Sequence, residues 1–127
     1  MSLNQKNAPQ TITIDGVEFV RADKTAAADR NTDGLEYVII RANRAGVFAG
    51  FLKTLDGTTA TMVNARRIYY WAGAATLSEL AVRGTSKPKE CKFPVAVPNM
   101  KVMNVEEVIS VSKEAKASID SVAVWSA

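Results

Sequence analysis

Alternating apolar and polar positions divide most of this chain into short strands. Glu36 to Arg41 is a β-branched run, Val47 to Lys53 is a second, and the intervening Ala42-Asn43-Arg44-Ala45-Gly46 suits a hairpin loop with glycine near its end. Leu55-Asp56-Gly57 turns the chain into a third run, Thr58 to Val63. Connections this short favour an antiparallel meander. Asn64-Ala65 then interrupts the alternation, which predicts a bulge or bend. Upstream, Thr11 to Ile14, Asp15-Gly16 and Val17 to Val20 form a strong hairpin signal, because Asp-Gly tolerates the positive φ of a two-residue turn. A polar arm ending at Pro9 precedes it, and Asp23 to Gly34 shows no sustained period and reads as a linker.

The densest stretch is Asn64 to Gly84. As a strand, Arg67, Tyr69 and Trp71 would share one face and Arg66, Ile68 and Tyr70 the other, so each face would carry an arginine and a large aromatic. Thr76-Leu77-Ser78-Glu79 is a capping-box pattern, in which the Thr76 hydroxyl receives the Glu79 backbone N–H while Glu79 reaches back. Leu77, Leu80 and Ala81 give a helical apolar stripe, and Gly84 sits where a left-handed end residue is wanted. Such a short helix cannot persist alone and must dock on the sheet.

Beyond it, Phe93 to Pro98 is held extended by its prolines and suits a sheet edge. Met103 to Val111 reads as a strand with Val105, Val108 and Ile109 in or near the core. Ser112 is positioned to cap a helix over Lys113 to Ile119, and Val122 to Trp125 reads as a strand or C-terminal clamp. The expected fold class is α+β: a mainly antiparallel sheet, able to curl into a small barrel, with one or two short helices packed on it. Residues 1–34 form an arm, hairpin and linker in this reading, and residues 35–127 a single core domain.

Composition narrows the chemistry. The 127 residues include no histidine and one cysteine, Cys91. Ser-His-Asp and Cys-His catalysis, histidine metal sites and an intramolecular disulfide are therefore excluded. There is no glycine-rich phosphate loop. Glu106-Glu107 would face opposite ways on a strand and so would not form a paired-carboxylate site without a backbone bend. Cys91 reads as a buried packing residue. The net charge of +3 is concentrated in residues 35–92, which carry nine basic against four acidic side chains. A basic middle favours phosphate or an acidic partner, or simply a solvated surface. No signal-peptide core or membrane-length apolar run is visible, so the expectation is a protein of the cytoplasm with no membrane partner and no cofactor.

The candidate binding residues are Asn64, Arg66, Arg67, Tyr69 and Trp71, with Tyr70 between them. Arginine forks onto phosphate or carboxylate, and aromatic rings offer stacking platforms. The competing reading makes the aromatics core and pairs the arginines with Glu36 or Glu79.

The run YVIIRANRAGVFAGFL, the segment NARRIYYWAGAATLSELAVRGTSKPKECKFPVAVP and the closing VISVSKEAKASIDSVAVW resemble a family of small uncharacterised bacteriophage proteins over roughly residues 36–125. The resemblance implies a viral product acting in an infected bacterium and supplies no catalytic residue or ligand. The expected function is non-enzymatic: a phage accessory protein that assembles with itself as a homo-oligomer and with other phage proteins, as a virion-associated structural or decoration subunit. The alternative is a counter-defence module in the host cytoplasm that blocks a host protein or sequesters a nucleotide-like, phosphate-bearing ligand.

Overall fold

The computed structural model describes residues 33–127, so the arm, hairpin and most of the linker expected upstream lie outside the described residues. Three strands follow one another as a meander: β1 (Glu36–Ala42), β2 (Gly46–Asp56) and β3 (Thr59–Arg67). Helix α1 (Leu77–Arg83) and a short 3-10 turn at Pro88–Glu90 precede β4 (Val97–Val102) and β5 (Val105–Ser110), and α2 (Lys113–Asp120) closes the order. Among the described residues the sheet is antiparallel throughout, in the order β4-β3-β2-β1-β5, with β4 and β5 at its edges.

That order forces curvature. Only Met103 and Asn104 separate β4 from β5, yet these strands occupy opposite edges. Three Cα steps reach at most about 11 Å, whereas the outer strands of a flat five-stranded sheet stand about 19 Å apart. The Asn43 N–H donates to Asn104 O at 2.9 Å, and the Val105 N–H donates to Thr58 O at 2.9 Å. Asn104 of the link and Val105, the first residue of β5, are thus pinned to the two hairpin turns at opposite ends of β2. Eleven straight residues would hold those turns some 35 Å apart, so β2 must coil strongly. β4 and β5 do not pair with each other, and the sheet is curled without closing into a barrel.

Irregularities in the ladders accompany the bend. Ala49 faces Arg66 and Phe51 faces Val63, leaving Gly50 opposite both Asn64 and Ala65. This is the interruption the sequence predicts, with Asn64 at φ 51°. A Cβ on Gly50 would lie 2.6 Å from Ala65 Cα, so the bulged strand can approach only a bare glycine. A second shift leaves Lys53 unopposed, and a third, in the β1–β5 ladder, leaves Glu106 unopposed. Glu107, on that same strand, pairs with Arg41 at 3.2 Å.

The two faces of the sheet bury different cores. Val38, Ile40, Ala42, Phe48, Ala60, Met62, Ala65 and Val102, all strand residues, fill the inside of the curl. Tyr37, Ile39 and Ala49 alternate onto the other face, where Leu77, Leu80 and Ala81 of α1 and Ala115 and Ile119 of α2 cover them. Cys91 is buried in this second core.

Several sequence expectations need correction. β2 continues to Asp56. Of the extended run expected over Phe93 to Pro98, only Val97 and Pro98 enter a strand, β4, which lies at an edge as expected but runs on to Val102. β3 ends at Arg67, so the predicted alternation through Trp71 fails: Ile68 is buried, Tyr70 is exposed and Trp71 packs against the helix-side core. Val108 is exposed and Val111 is fully buried, because β5 is an edge whose core contacts come from Val105, Ile109 and the residue after the strand.

Candidate functional site

The five candidate residues diverge. Asn64 sits exposed in the bulge. Arg66 and Arg67, as neighbours on a strand, point to opposite faces, and their surroundings differ accordingly.

Arg66 turns into the helix-side core and is only 8% exposed. Its guanidinium donates to Phe93 O at 2.7 Å, Pro94 O at 3.0 Å, Ile119 O at 3.1 Å and Ala123 O at 3.4 Å. It also lies 5.5 Å from the Phe93 ring centroid. Burial lowers its pKa, while the neighbouring Tyr37 and Asp120 oppose that shift; an arginine stays ionised here. The side chain binds the end of α2 and the C-terminal segment to the loop after α1.

Arg67 turns the other way and is exposed. It donates to Ala45 O at 2.7 Å and lies over the Phe48 ring at 4.6 Å from the centroid. There it borders an open groove of about 460 Å³ at the mouth of the curled sheet. Asn43, Arg44 and Ala45 of the β1–β2 turn form one wall and Met100 to Asn104 the other, with Phe48 at the base. Among the described residues, Arg44, Arg67 and Lys101 bring three cations and no carboxylate to this lining.

Tyr69 and Tyr70 lie past the end of β3. Tyr69 is 61% exposed and stacks on Trp125, with ring centroids 4.9 Å apart and planes 14° from parallel. Trp125 is held there because its N–H donates to Phe93 O at 3.0 Å, next to the bridge between Phe93 and Val124. Lys92 Nζ lies 5.5 Å from the Trp125 ring and 5.9 Å from the Tyr70 ring. Trp71 is half-buried and donates its indole N–H to Ala74 O at 3.2 Å.

The family model of a domain of unknown function, DUF6948, matches residues 35–119. The chain belongs to the DUF6948 family. No curated protein and no solved structure matches it. The DUF6948 segment runs from just before β1 almost to the end of α2, so it contains both arginines and Tyr69 but stops short of Trp125. The stacked pair therefore joins a residue of the DUF6948 segment to one outside it.

Of the candidate run, then, only Arg67 borders the cationic groove, while Tyr69 and its neighbour Tyr70 join the exposed aromatic patch. The other contributors, Arg44, Lys101, Lys92 and Trp125, are spread along the sequence in elements that carry no motif. The closing clamp was legible at Trp125; its meeting with Tyr69 depends on the path of the C-terminal segment. Among the described residues no cluster of acidic, cysteine or histidine side chains could hold a metal ion, and no helix is long and apolar enough to cross a membrane.

Proposed function

We propose that this DUF6948 protein is a non-enzymatic bacteriophage accessory protein that works by assembling with itself and with other phage components, as a virion-associated structural or decoration subunit. The observation that carries the reading is the exposed aromatic patch. Tyr69, Tyr70 and Trp125 are 61%, 51% and 43% exposed around Lys92. Clustered aromatics with polar tips are the side chains that anchor protein interfaces. The edges of the sheet are guarded instead: Pro98 lies in β4, and β5 carries the Glu106 irregularity beside charged Glu107. Assembly through side chains at the patch fits this surface better than addition of a strand. The resemblance of the central segment to phage proteins supports the viral setting.

Quantitative mass spectrometry of purified phage particles tests the proposal. A fixed ratio of this chain to the major capsid protein is the expected result, and Tyr69→Ser with Trp125→Ser should abolish incorporation. Absence from particles, with abundance only in the infected cytoplasm, would refute it. The sequestration alternative is supported by one observation, the cationic groove.

A further inference from the structure

From the mouth of the curled sheet we infer a binding site for a phosphate-bearing small molecule of nucleotide size. The inference gives the sequestration reading a location and does not depend on assembly through the aromatic patch.

The groove has the attributes of a ligand site rather than of a merely charged surface. The mouths of curled and barrel-like sheets are recurrent ligand sites, and its 460 Å³ falls within the roughly 300–1,000 Å³ common for small-molecule pockets. Its lining is divided between apolar Phe48, Met100, Val102 and Met103 and the three cations, so a ligand with a planar or apolar body and an anionic group matches both parts. Arg67 is already oriented: Ala45 O takes one Nη1 hydrogen at 2.7 Å and the Phe48 ring supports the guanidinium plane. Its remaining donors are available to fork onto a phosphate without a large ordering cost.

Backbone geometry makes a second, independent argument. Arg44 stands at φ 70° in the β1–β2 turn, where glycine or asparagine is the ordinary occupant. A bulky residue held in the left-handed region is strained, and such strain gathers at ligand sites. Glycine at position 44 would relieve it and lose only the side chain. The cation at the rim thus stands against the preference of the turn.

Isothermal titration calorimetry of the full chain tests the site with AMP, ADP, the dinucleotide pApA, inorganic phosphate and an oligoglutamate peptide. At least one nucleotide should bind saturably, one per groove, about tenfold or more tighter than inorganic phosphate. Arg67→Ala should weaken it about tenfold or more. Since Arg67 also supports Phe48, Arg44→Gly is the decisive variant: it should weaken binding while leaving the thermal midpoint unchanged or raised. Absence of saturable nucleotide binding up to about 1 mM would overturn the inference. So would tighter binding of the peptide, or unchanged affinity in Arg44→Gly. Groove variants should still enter phage particles, so failure here is distinct from failure of the assembly reading.

Discussion

Arg66 and Arg67 show how far one strand step separates two identical side chains. The first is an internal crosslink whose donors meet four carbonyls from three segments; the second is oriented at the surface by Ala45 O and Phe48. Removing Arg66 strands the buried carbonyls of Phe93 and Ile119 and frees the part-buried ones of Pro94 and Ala123. Arg66→Met should therefore cost about 3 kcal/mol of unfolding free energy in urea titrations, with Arg66→Lys recovering only a minor part. An equal loss for Met and Lys variants at less than about 0.5 kcal/mol would mean the carbonyls find other partners. The sequence disclosed two arginines in a strand. Which one faced carbonyls and which faced solvent depended on the bulge at Asn64, since a shift of one residue exchanges the faces.

The two helices are legible elements with an unexpected connection. The Glu79 N–H donates to the Thr76 hydroxyl at 3.2 Å, as the capping box predicts, but the reciprocal bond comes from the Ala75 N–H, at 2.7 Å to Glu79 Oε1. That bond, ahead of the nearby Arg83, holds the Glu79 carboxyl below its ordinary pKa. A lowered carboxyl contributes stability that is fully present above its unfolded pKa and is lost as pH falls through the folded value. Glu79→Gln should accordingly lower the thermal midpoint near pH 7, and the gap to the parent should narrow as the pH falls to about 3. Ser112 caps both helices: its hydroxyl accepts from the Ala115 N–H at 3.0 Å and donates to Val82 O at 2.8 Å, while its own N–H reaches Ala81 O at 3.0 Å. Ser112→Ala should cost about 2 kcal/mol by chemical denaturation, more than an ordinary lost cap, because one hydroxyl serves the end of α1 as well as the start of α2. Gly84, at φ 81° and ψ −158°, supplies the positive φ expected but not a left-handed helical residue. Its missing side chain also matters, since a Cβ there would lie 2.3 Å from Ser118 Cβ. The capping motif was readable because it is local; the shared cap at Ser112 was not, because it joins α1 and α2 across about thirty residues of intervening chain.

At the scale of the whole molecule, the C-terminal segment closes the structure. Val122 is buried, Ala123 O accepts from Arg66, the Trp125 N–H reaches Phe93 O and the Trp125 ring stacks on Tyr69. Ending the chain after Ser121 should lower stability by about 3 kcal/mol in urea, although the family match ends at residue 119. Trp125→Ser alone should cost only about 1 kcal/mol, since its backbone hydrogen bond survives and its ring is half exposed. Equal effects of the two changes would place the stabilisation in the stacked rings rather than in the segment.

By itself the sequence determined the α+β class, the three-strand meander, both helix starts, the break at Asn64-Ala65 and the exclusion of histidine chemistry. Each of these rests on residue type or on spacing within a few positions. Tertiary structure decided the curl of the sheet, the split of the arginine and aromatic run into crosslink, groove and patch, and the meeting of Tyr69 with Trp125. Those outcomes depend on strand register and on a two-residue link between opposite edges, and such long-range geometry leaves no periodic trace along the chain.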